Sequence, residues 1–254
     1  MSEKACPEWE ELKKNNPWKL IFENHSSEEL RHLICNWKTD FVHPYDKDVI
    51  SRYNKKAKET NRFVLHKLPK PYRGNLKDPK LVILSLNPGF NERVNHTLFN
   101  MLAPKYQYDF IDVCRKNLLL EDGCRIVSND VDDICDNGYW SSKLAELELK
   151  NDANLSKIGL IQFIPYASKH FSSWKDEASL GTQDFTKKII RYLLHKTDAR
   201  FLIMRSKAKW MKLIGNEMKT YNDRFLYNDN NPRCQKLSQN NLKEEYLKIM
   251  EAFK

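Results

Sequence analysis

Short apolar runs alternate with amphipathic segments from about residue 79 to the end of the chain. Residues 81–84, 158–164 and 199–204 are almost entirely apolar, and a weaker run covers 225–227. Runs this short, next to proline or polar residues, predict strands buried on both faces. Helical periodicity lies between and after them, in 140–149, 182–196, 206–219 and 241–253, and Ser206 is placed to cap the third of these helices. Strands that alternate with such helices predict a mainly parallel sheet covered on both faces.

The first sixty residues have a helical pattern only. Segments 9–14, 28–37 and 46–58 are amphipathic or polar helix candidates, and Ser26 or Ser27 can cap the second, with Glu29 placed for a capping box. Residues 63–78 are punctuated by proline and glycine, which predicts irregular structure. We therefore expect a helical N-terminal extension, residues 1–62, packed on an α/β domain, residues 63–254. That domain is predicted to be a three-layer α/β/α sandwich with a short, mainly parallel central sheet.

The net charge of +9 is unevenly distributed. Ten Lys or Arg residues and two acidic residues lie between positions 52 and 80, and a second basic cluster at 205–212 follows a predicted strand. A basic surface favours a phosphate-rich partner such as nucleic acid, and DNA is the expected one. On charge alone, a lysine-rich, solvated surface without such a partner explains the sequence equally well.

Other classes of protein are disfavoured by what the sequence lacks. No apolar run approaches the length of a membrane span, and the first residues contain no signal-peptide core, so we expect a cytoplasmic protein without a membrane partner. The six cysteines are scattered, with no Cys-x-x-Cys pair and no histidine at ligand spacing. We expect reduced thiols, no metal, no organic cofactor and a monomer.

Two amide side chains interrupt or follow the apolar runs. Asn87 comes directly after the first strand, and Pro88 and Gly89 then turn the chain sharply. Ligands of open α/β sheets bind at the carboxyl ends of the strands, which is where Asn87 lies. A plain Asn-Pro turn is the alternative. Gln162 lies inside the second apolar run, where a buried amide must find hydrogen-bond partners.

The segment Leu84-Ser85-Leu86-Asn87-Pro88-Gly89 resembles the first active-site motif of the uracil-DNA glycosylase superfamily, closest to its mismatch-specific thymine/uracil branch. Three later segments are similar to family motifs in the expected order. Residues 160–165 resemble the second strand with its base-reading amide, 201–210 the third strand and following helix, and 231–242 the second active-site motif and last helix. The resemblance extends from residue 79 to the C-terminus.

The chain departs from the family pattern at several positions. Ser85 stands where the family has glycine, Gln162 where it has asparagine, and Arg233 where it has serine. The loop that would fill the gap left by a flipped base is short, residues 234–237. These departures leave the fold expectation intact, while they leave uracil excision as such open.

The resemblance implies a protein that recognises a nucleobase in DNA or RNA. Whether it also hydrolyses the N-glycosidic bond, as a DNA N-glycosylase does, is left open. Asn87 would orient a water molecule and Asn231 would donate to the departing carbonyl oxygen, which makes them the candidate catalytic residues. The candidate base-binding residues are Pro88, Gly89, Phe90, Phe99 and Gln162. The candidate contacts to the nucleic-acid backbone are Arg205, Lys207, Lys209 and Arg233.

Two other functions fit the same residues. One is a non-catalytic module that binds nucleic acid, a nucleotide or a base in the same pocket. The other is a pocket for a small metabolite, with the basic surface incidental. Phe90 and Phe99 also have a purely structural interpretation, because such rings are more often core residues than stacking platforms.

Overall fold

The computed structural model describes residues 8–37, 39–127, 138–149, 152–171, 179–228 and 236–254. In the described part of the chain, four helices precede the main sheet: α1 Trp9–Lys14, α2 Lys19–Glu23, α3 Ser27–Asn36 and α4 Lys47–Lys56. A π-helical segment, Arg93–Leu98, leads into α5 Phe99–Met101 and α6 Pro104–Leu119. The other helices in the described ranges are α7 Tyr139–Ala145, α8 Asp152–Leu155, α9 Gln183–Lys196, α10 Lys207–Thr220, α11 Gln239–Leu242 and α12 Glu244–Ala252. Three 3₁₀ turns are Pro44–Asp46, Glu59–Asn61 and Asn222–Arg224.

The main sheet has five strands in the order β2-β4-β3-β6-β7. Its members are β2 Tyr72–Gly74, β3 Leu81–Ser85, β4 Ile158–Gln162, β6 Arg200–Ile203 and β7 Phe225–Tyr227. The last four run parallel to one another, and β2 pairs antiparallel with β4 at one edge. A separate antiparallel pair joins β1 Phe63–Val64 to β5 Ala167–Ser168. The expectation of a mixed α/β fold with a mainly parallel sheet is confirmed.

The central strands send alternate side chains into two different apolar clusters. From β3, Val82 and Leu84 join a cluster that contains Ile189 of α9 and Trp210 of α10. Leu81 and Ile83 join the second cluster, whose helical members include Trp140 and Leu144 of α7 and Tyr246 and Ile249 of α12. Because both sets of side chains are buried, the strand is apolar from Leu81 to Leu84, as the continuous run of apolar residues indicates.

The N-terminal helices share the main core. Trp9, Leu12, Trp18 and Ile50 belong to the same buried cluster as the strand residue Val82. A third cluster joins α3 to α6 and includes Leu30, Phe99 and Ile111. Residues 8–62 therefore contribute apolar surface directly to the structure around the sheet.

The predicted segment of irregular structure, 63–78, contains strands β1 and β2. These strands have two and three residues, which is too short for an alternating pattern to be visible in the sequence. Only glycine fits at position 159 of β4, since an added Cβ would overlap the carbonyl oxygen of Asn75 and the side chain of Leu76. The close approach of this loop to the strand thus depends on a single missing side chain.

The helix ends confirm one predicted cap and contradict another. Ser26 and Glu29 form the expected capping box at the start of α3. Ser206 was expected to cap α10 with its side chain, and this is wrong: it makes no cap hydrogen bond and its backbone is left-handed, with φ 58°. The predicted last helix is interrupted at Lys243, which also has positive φ and separates α11 from α12.

In the part of the chain that the structure describes, no helix combines the length and the apolar composition that a membrane crossing requires.

Candidate functional site

Polar side chains replace apolar ones where β3 and β4 end. Ser85 of β3 lies directly opposite Gln162 of β4 in the parallel register. The preceding residues on the same face, Ile83 and Leu160, are buried in the second apolar cluster. One face of the sheet is therefore apolar along its length and becomes polar at the carboxyl edge, where ligands of parallel sheets bind.

The turn after β3 is held in place by the segment that follows β4. The amide of Ser168 donates to the carbonyl oxygen of Pro88 at 3.2 Å, and the amide of Phe90 donates to the carbonyl oxygen of Ser168 at 3.1 Å. Gly89 and Ser168 form a parallel bridge. Gly89 is exposed, and a Cβ placed on it would meet nothing within 4 Å, so open space lies beside this turn.

The amide of Asn87 has a fixed orientation. Its Nδ2 donates to the carbonyl oxygens of Pro88 at 3.0 Å and Tyr166 at 3.4 Å, and to the hydroxyl of Ser168 at 2.9 Å. Carbonyl oxygens only accept, so the NH₂ group must face them. The hydroxyl of Ser168 donates to the carbonyl oxygen of His170 at 3.2 Å and is therefore the acceptor for Asn87. The Oδ1 atom of Asn87 points away and receives no hydrogen bond from any described residue.

Gln162 is buried without a partner for its amide oxygen. The residue is 5% exposed, and no donor in the described chain reaches Oε1. A buried amide oxygen left unpaired costs about 1–3 kcal/mol, so such groups usually have a function or an absent partner. Its backbone N–H is already paired, since it donates to the carbonyl oxygen of Pro71 at 2.8 Å.

Asn87 and Gln162 line one cavity of about 660 Å³ at the carboxyl ends of β3, β4 and β6. Four aromatic residues also line it: Phe90, Phe171, Tyr139 and Trp140. The last two begin α7, so this helix forms one wall. The volume is in the range of cavities that hold small organic ligands.

The charge of the cavity is positive over its described lining. Five cationic residues line it and no carboxylate does: Lys70, Arg73, Lys143, Lys169 and Arg205. Two of them are partly neutralised, Lys143 by Glu146 at 3.4 Å and Lys169 by Glu92 at 3.7 Å. Burial raises the pKa of Tyr139, and the nearby Arg205 opposes this shift. The arrangement favours an anionic ligand or one with anionic groups beside it.

The structure separates the remaining sequence-predicted site residues. Phe99 is 1% exposed, packs in the third cluster with its ring 5.2 Å from Phe110, and does not line the cavity. Its expected role against a base is therefore corrected to a core role. Lys207 and Lys209 lie outside the lining on α10, with their ammonium groups 3.6 Å from the ring centroid of Tyr227 and 5.9 Å from that of Phe171, respectively.

Two candidates, Asn231 and Arg233, lie outside the described residues. Pro88 and Gly89 line the cavity, as does Phe90, whose ring also approaches Trp37 and His66 at 6.2 Å each. In the described ranges, no group of three or more His, Cys, Asp or Glu side chains is arranged to hold a metal ion.

Sequence reasoning missed several lining residues. Lys70 and Arg73 were visible only as part of the basic stretch between positions 52 and 80. Ser168, Tyr139 and Lys143 carry no local signal, because the folded sheet brings them to the site from distant positions in the chain.

Comparison of the chain with models of protein families gave no match. Neither curated proteins nor solved structures gave one. The case for a function therefore rests on the residues and geometry described above.

Proposed function

We propose that the chain binds a single nucleobase of DNA or RNA in this cavity. The observation that carries the proposal is Gln162, an almost fully buried amide whose oxygen has no partner in the described structure. The edge of a nucleobase presents hydrogen-bond donors and acceptors in a plane, which a glutamine amide matches. Phe90 and Phe171 line the same cavity and supply rings against which a base can stack.

The cationic residues at the cavity favour a ligand whose base is still part of a nucleic-acid strand. Arg205 lines the cavity and makes no hydrogen bond or ion pair with any described residue. Lys207 and Lys209 follow it on α10 and extend the positive surface beyond the cavity. Phosphates that flank the bound base would lie against these residues. We therefore expect affinity that falls steeply with salt, as counterions are released from the phosphates.

The finer architecture belongs to the same proposal. We assign a three-layer α/β/α sandwich, which is supported by the packing of α9 and α10 on one face of the sheet and of α7 and α12 on the other. In this arrangement, the cavity lies at the edge where the order of parallel strands reverses around β3.

The proposal is tested by replacing Gln162 with methionine, which has similar volume and no amide. Gln162→Met should lose binding of a base-containing oligonucleotide by at least tenfold, because the base loses its hydrogen-bond partner. The same change should leave the free energy of unfolding unchanged or raise it by about 1–3 kcal/mol, since an unpaired buried polar group is removed. Fluorescence anisotropy measures the first quantity and chemical denaturation the second.

The exposed residue Gln239 offers a matched control. Gln239→Met changes the same side chain outside the cavity and should leave oligonucleotide affinity and stability unaltered. A wild-type protein that binds no oligonucleotide at low salt, or a Gln162→Met variant that binds as tightly as wild type, would contradict base recognition by this residue.

A second candidate function is hydrolysis of the N-glycosidic bond. The fixed orientation of Asn87 favours it, since the free Oδ1 can accept a hydrogen bond from an attacking water. An amide does not titrate, so this residue would position water rather than remove its proton. Release of free base from uracil, mismatched thymine and hypoxanthine substrates is the assay. Asn87→Ala should abolish release with little change in affinity; no release by wild type from any substrate favours a binding module.

A further inference from the structure

A second basic cavity lies in the N-terminal part of the chain, outside the region of family resemblance. Its volume is about 690 Å³. Val42, Ile50 and Leu65 give it an apolar floor, and the other lining residues are polar or charged. Three of these are cationic, Lys47, Lys55 and Arg62, against one acid, Asp40. We refer to it as the N-terminal cavity.

The cations of the N-terminal cavity are largely uncompensated. Lys47 and Lys55 are exposed and make no hydrogen bond or ion pair with any residue in the described ranges. Arg62 uses its Nε to donate to the carbonyl oxygen of Ala57 at 3.3 Å, which leaves the rest of its guanidinium available. Three like charges around one concave surface raise its positive potential and favour an anion there.

The N-terminal cavity lies near the cavity lined by Asn87 and Gln162, which we call the base cavity, because paired backbone segments join the two. Phe63, next to Arg62, pairs with Ser168, and Ser168 pairs on its other side with Gly89. Neighbouring strands lie about 4.8 Å apart, so Phe63 and Gly89 are about 10 Å from each other. Along the chain, Leu65 of one cavity and Lys70 of the other are separated by five residue steps, or at most about 18 Å.

We propose that the N-terminal cavity binds backbone phosphates of the same nucleic-acid strand whose base enters the base cavity. This inference rests on the proposed function and adds to it a second contact site and a minimum length of ligand. At about 3.4 Å per stacked nucleotide, 18 Å corresponds to roughly five nucleotides. Three stacked nucleotides span about 7 Å, which is less than the distance of about 10 Å between Phe63 and Gly89, whereas a strand of five or more nucleotides spans the whole distance.

The test compares a trinucleotide with an octanucleotide on wild type and on a Lys47→Gln, Lys55→Gln double variant. Wild type should bind the octanucleotide more tightly. The double variant should bind the octanucleotide about 25-fold more weakly than wild type at about 0.1 M salt. The slope of log affinity against log salt concentration should be smaller in magnitude by about 1.4, the contribution of two phosphate contacts on a single strand. Trinucleotide affinity should be the same in both proteins. A thermal melt of each variant verifies that the fold is retained.

The matched control removes two exposed lysines at the opposite edge of the sheet, Lys80 before β3 and Lys219 at the end of α10. Lys80→Gln with Lys219→Gln lowers the net charge equally and should keep the affinity for the octanucleotide. Absence of binding by wild type to either oligonucleotide would overturn the proposed function. Wild-type binding that the Lys47, Lys55 variant retains in full would overturn this inference alone. If the double variant keeps its oligonucleotide affinity but loses binding to phosphatidylserine vesicles, the N-terminal cavity contacts a lipid surface instead. That result would also overturn this inference.

Discussion

At the scale of single residues, the orientation of Asn87 determines what the site can do. Two carbonyl oxygens and one hydroxyl accept from its Nδ2, and the hydroxyl of Ser168 is itself oriented by His170. An aspartate at this position would place a negatively charged oxygen against the carbonyl oxygens of Pro88 and Tyr166. A carboxylate here would therefore be repelled by the groups that hold the native amide.

We expect Asn87→Asp to lower the free energy of unfolding by about 2 kcal/mol at neutral pH. The reason is that the carboxylate has no N–H group to donate to the three oxygen atoms that accept from Asn87. Repulsion by the two carbonyl oxygens should raise the pKa of the new carboxyl group in the folded state. Stability lost at neutral pH should then return as the pH falls, since the protonated acid donates again. Chemical denaturation over a series of pH values measures this.

Ser168→Ala is the companion variant, because it removes only one of the three acceptors of Asn87. It should cost about 1 kcal/mol at every pH, with no recovery in acid. An Asn87→Asp protein as stable as wild type at neutral pH would show that the NH₂ group does not face the carbonyl oxygens.

At the scale of elements, the sequence predicts those strands whose side chains are all buried. The residues of β3, β4 and β6 form apolar runs because each strand packs on both sides. β2 is Tyr-Arg-Gly, and nothing in these residues indicates a strand; it forms because β4 offers it an antiparallel edge. The same limit applies to β1 and β5, whose pairing is decided by contacts between residues that are far apart in the chain.

The candidate site divides in the same way. Gln162 was predictable because it is the one polar side chain in the run 158–164, and Asn87 because it follows the apolar run 81–84 at the turn before Pro88. Ser168 was not predictable, since a serine after a strand has no distinguishing pattern and gains its role from the bridge to Gly89. Phe99 was assigned to the site by its position in the sequence, but its ring is buried in the third apolar cluster against Phe110.

The 3₁₀ turn Pro44–Asp46 depends on a neutral histidine. The Nδ1 atom of His43 accepts from the amide of Tyr45 at 3.2 Å, while Nε2 lies 3.2 Å from the carbonyl oxygen of Pro17 and donates to it. Burial lowers the pKa of His43 from its usual value of 6.5, although Asp46 and the bond to Pro17 oppose the shift. Protonation would add a hydrogen to Nδ1 and remove the cap of the turn.

The pH dependence of stability follows from this lowered pKa. Below pH 6.5 the unfolded chain binds a proton at this position more readily than the folded protein does. The contribution of neutral His43 to the free energy of unfolding should therefore be complete above pH 6.5. It should be lost as the pH falls from 6.5 through the lower pKa of the folded state. His43→Asn keeps an acceptor for the amide of Tyr45 and cannot titrate, so it should show a shallower loss between neutral and mildly acidic pH.

The exposed His170 provides the comparison for this measurement. His170→Asn should leave the acid dependence as in wild type. If His43→Asn and wild type lose stability with the same slope, His43 is not the group that makes the protein acid-sensitive.

At the scale of the whole molecule, Asp46 connects the N-terminal helices to the site. Its carboxylate is fully buried and accepts from the hydroxyl of Tyr166 at 2.8 Å, the hydroxyl of Thr182 at 2.7 Å and the amide of Thr182 at 3.0 Å. Tyr166 in turn accepts from Asn87 through its carbonyl oxygen. Burial and the adjacent carboxylate both raise the pKa of the Tyr166 phenol, so it stays protonated and donates.

We expect Asp46→Ala to lower the free energy of unfolding by about 3 kcal/mol or more, because it leaves three buried donors without an acceptor. Asp48→Ala is the matched control, since this neighbouring carboxylate is exposed at the first turn of α4 and its loss should cost under about 1 kcal/mol.

The unfolding of both variants should remain a single transition, because the N-terminal helices and the sheet share one apolar cluster. Two separate transitions in Asp46→Ala, monitored by circular dichroism and tryptophan fluorescence, would mean that residues 8–62 fold independently of the sheet. A loss no larger than that of Asp48→Ala would mean that the three hydrogen bonds do not hold the two parts together.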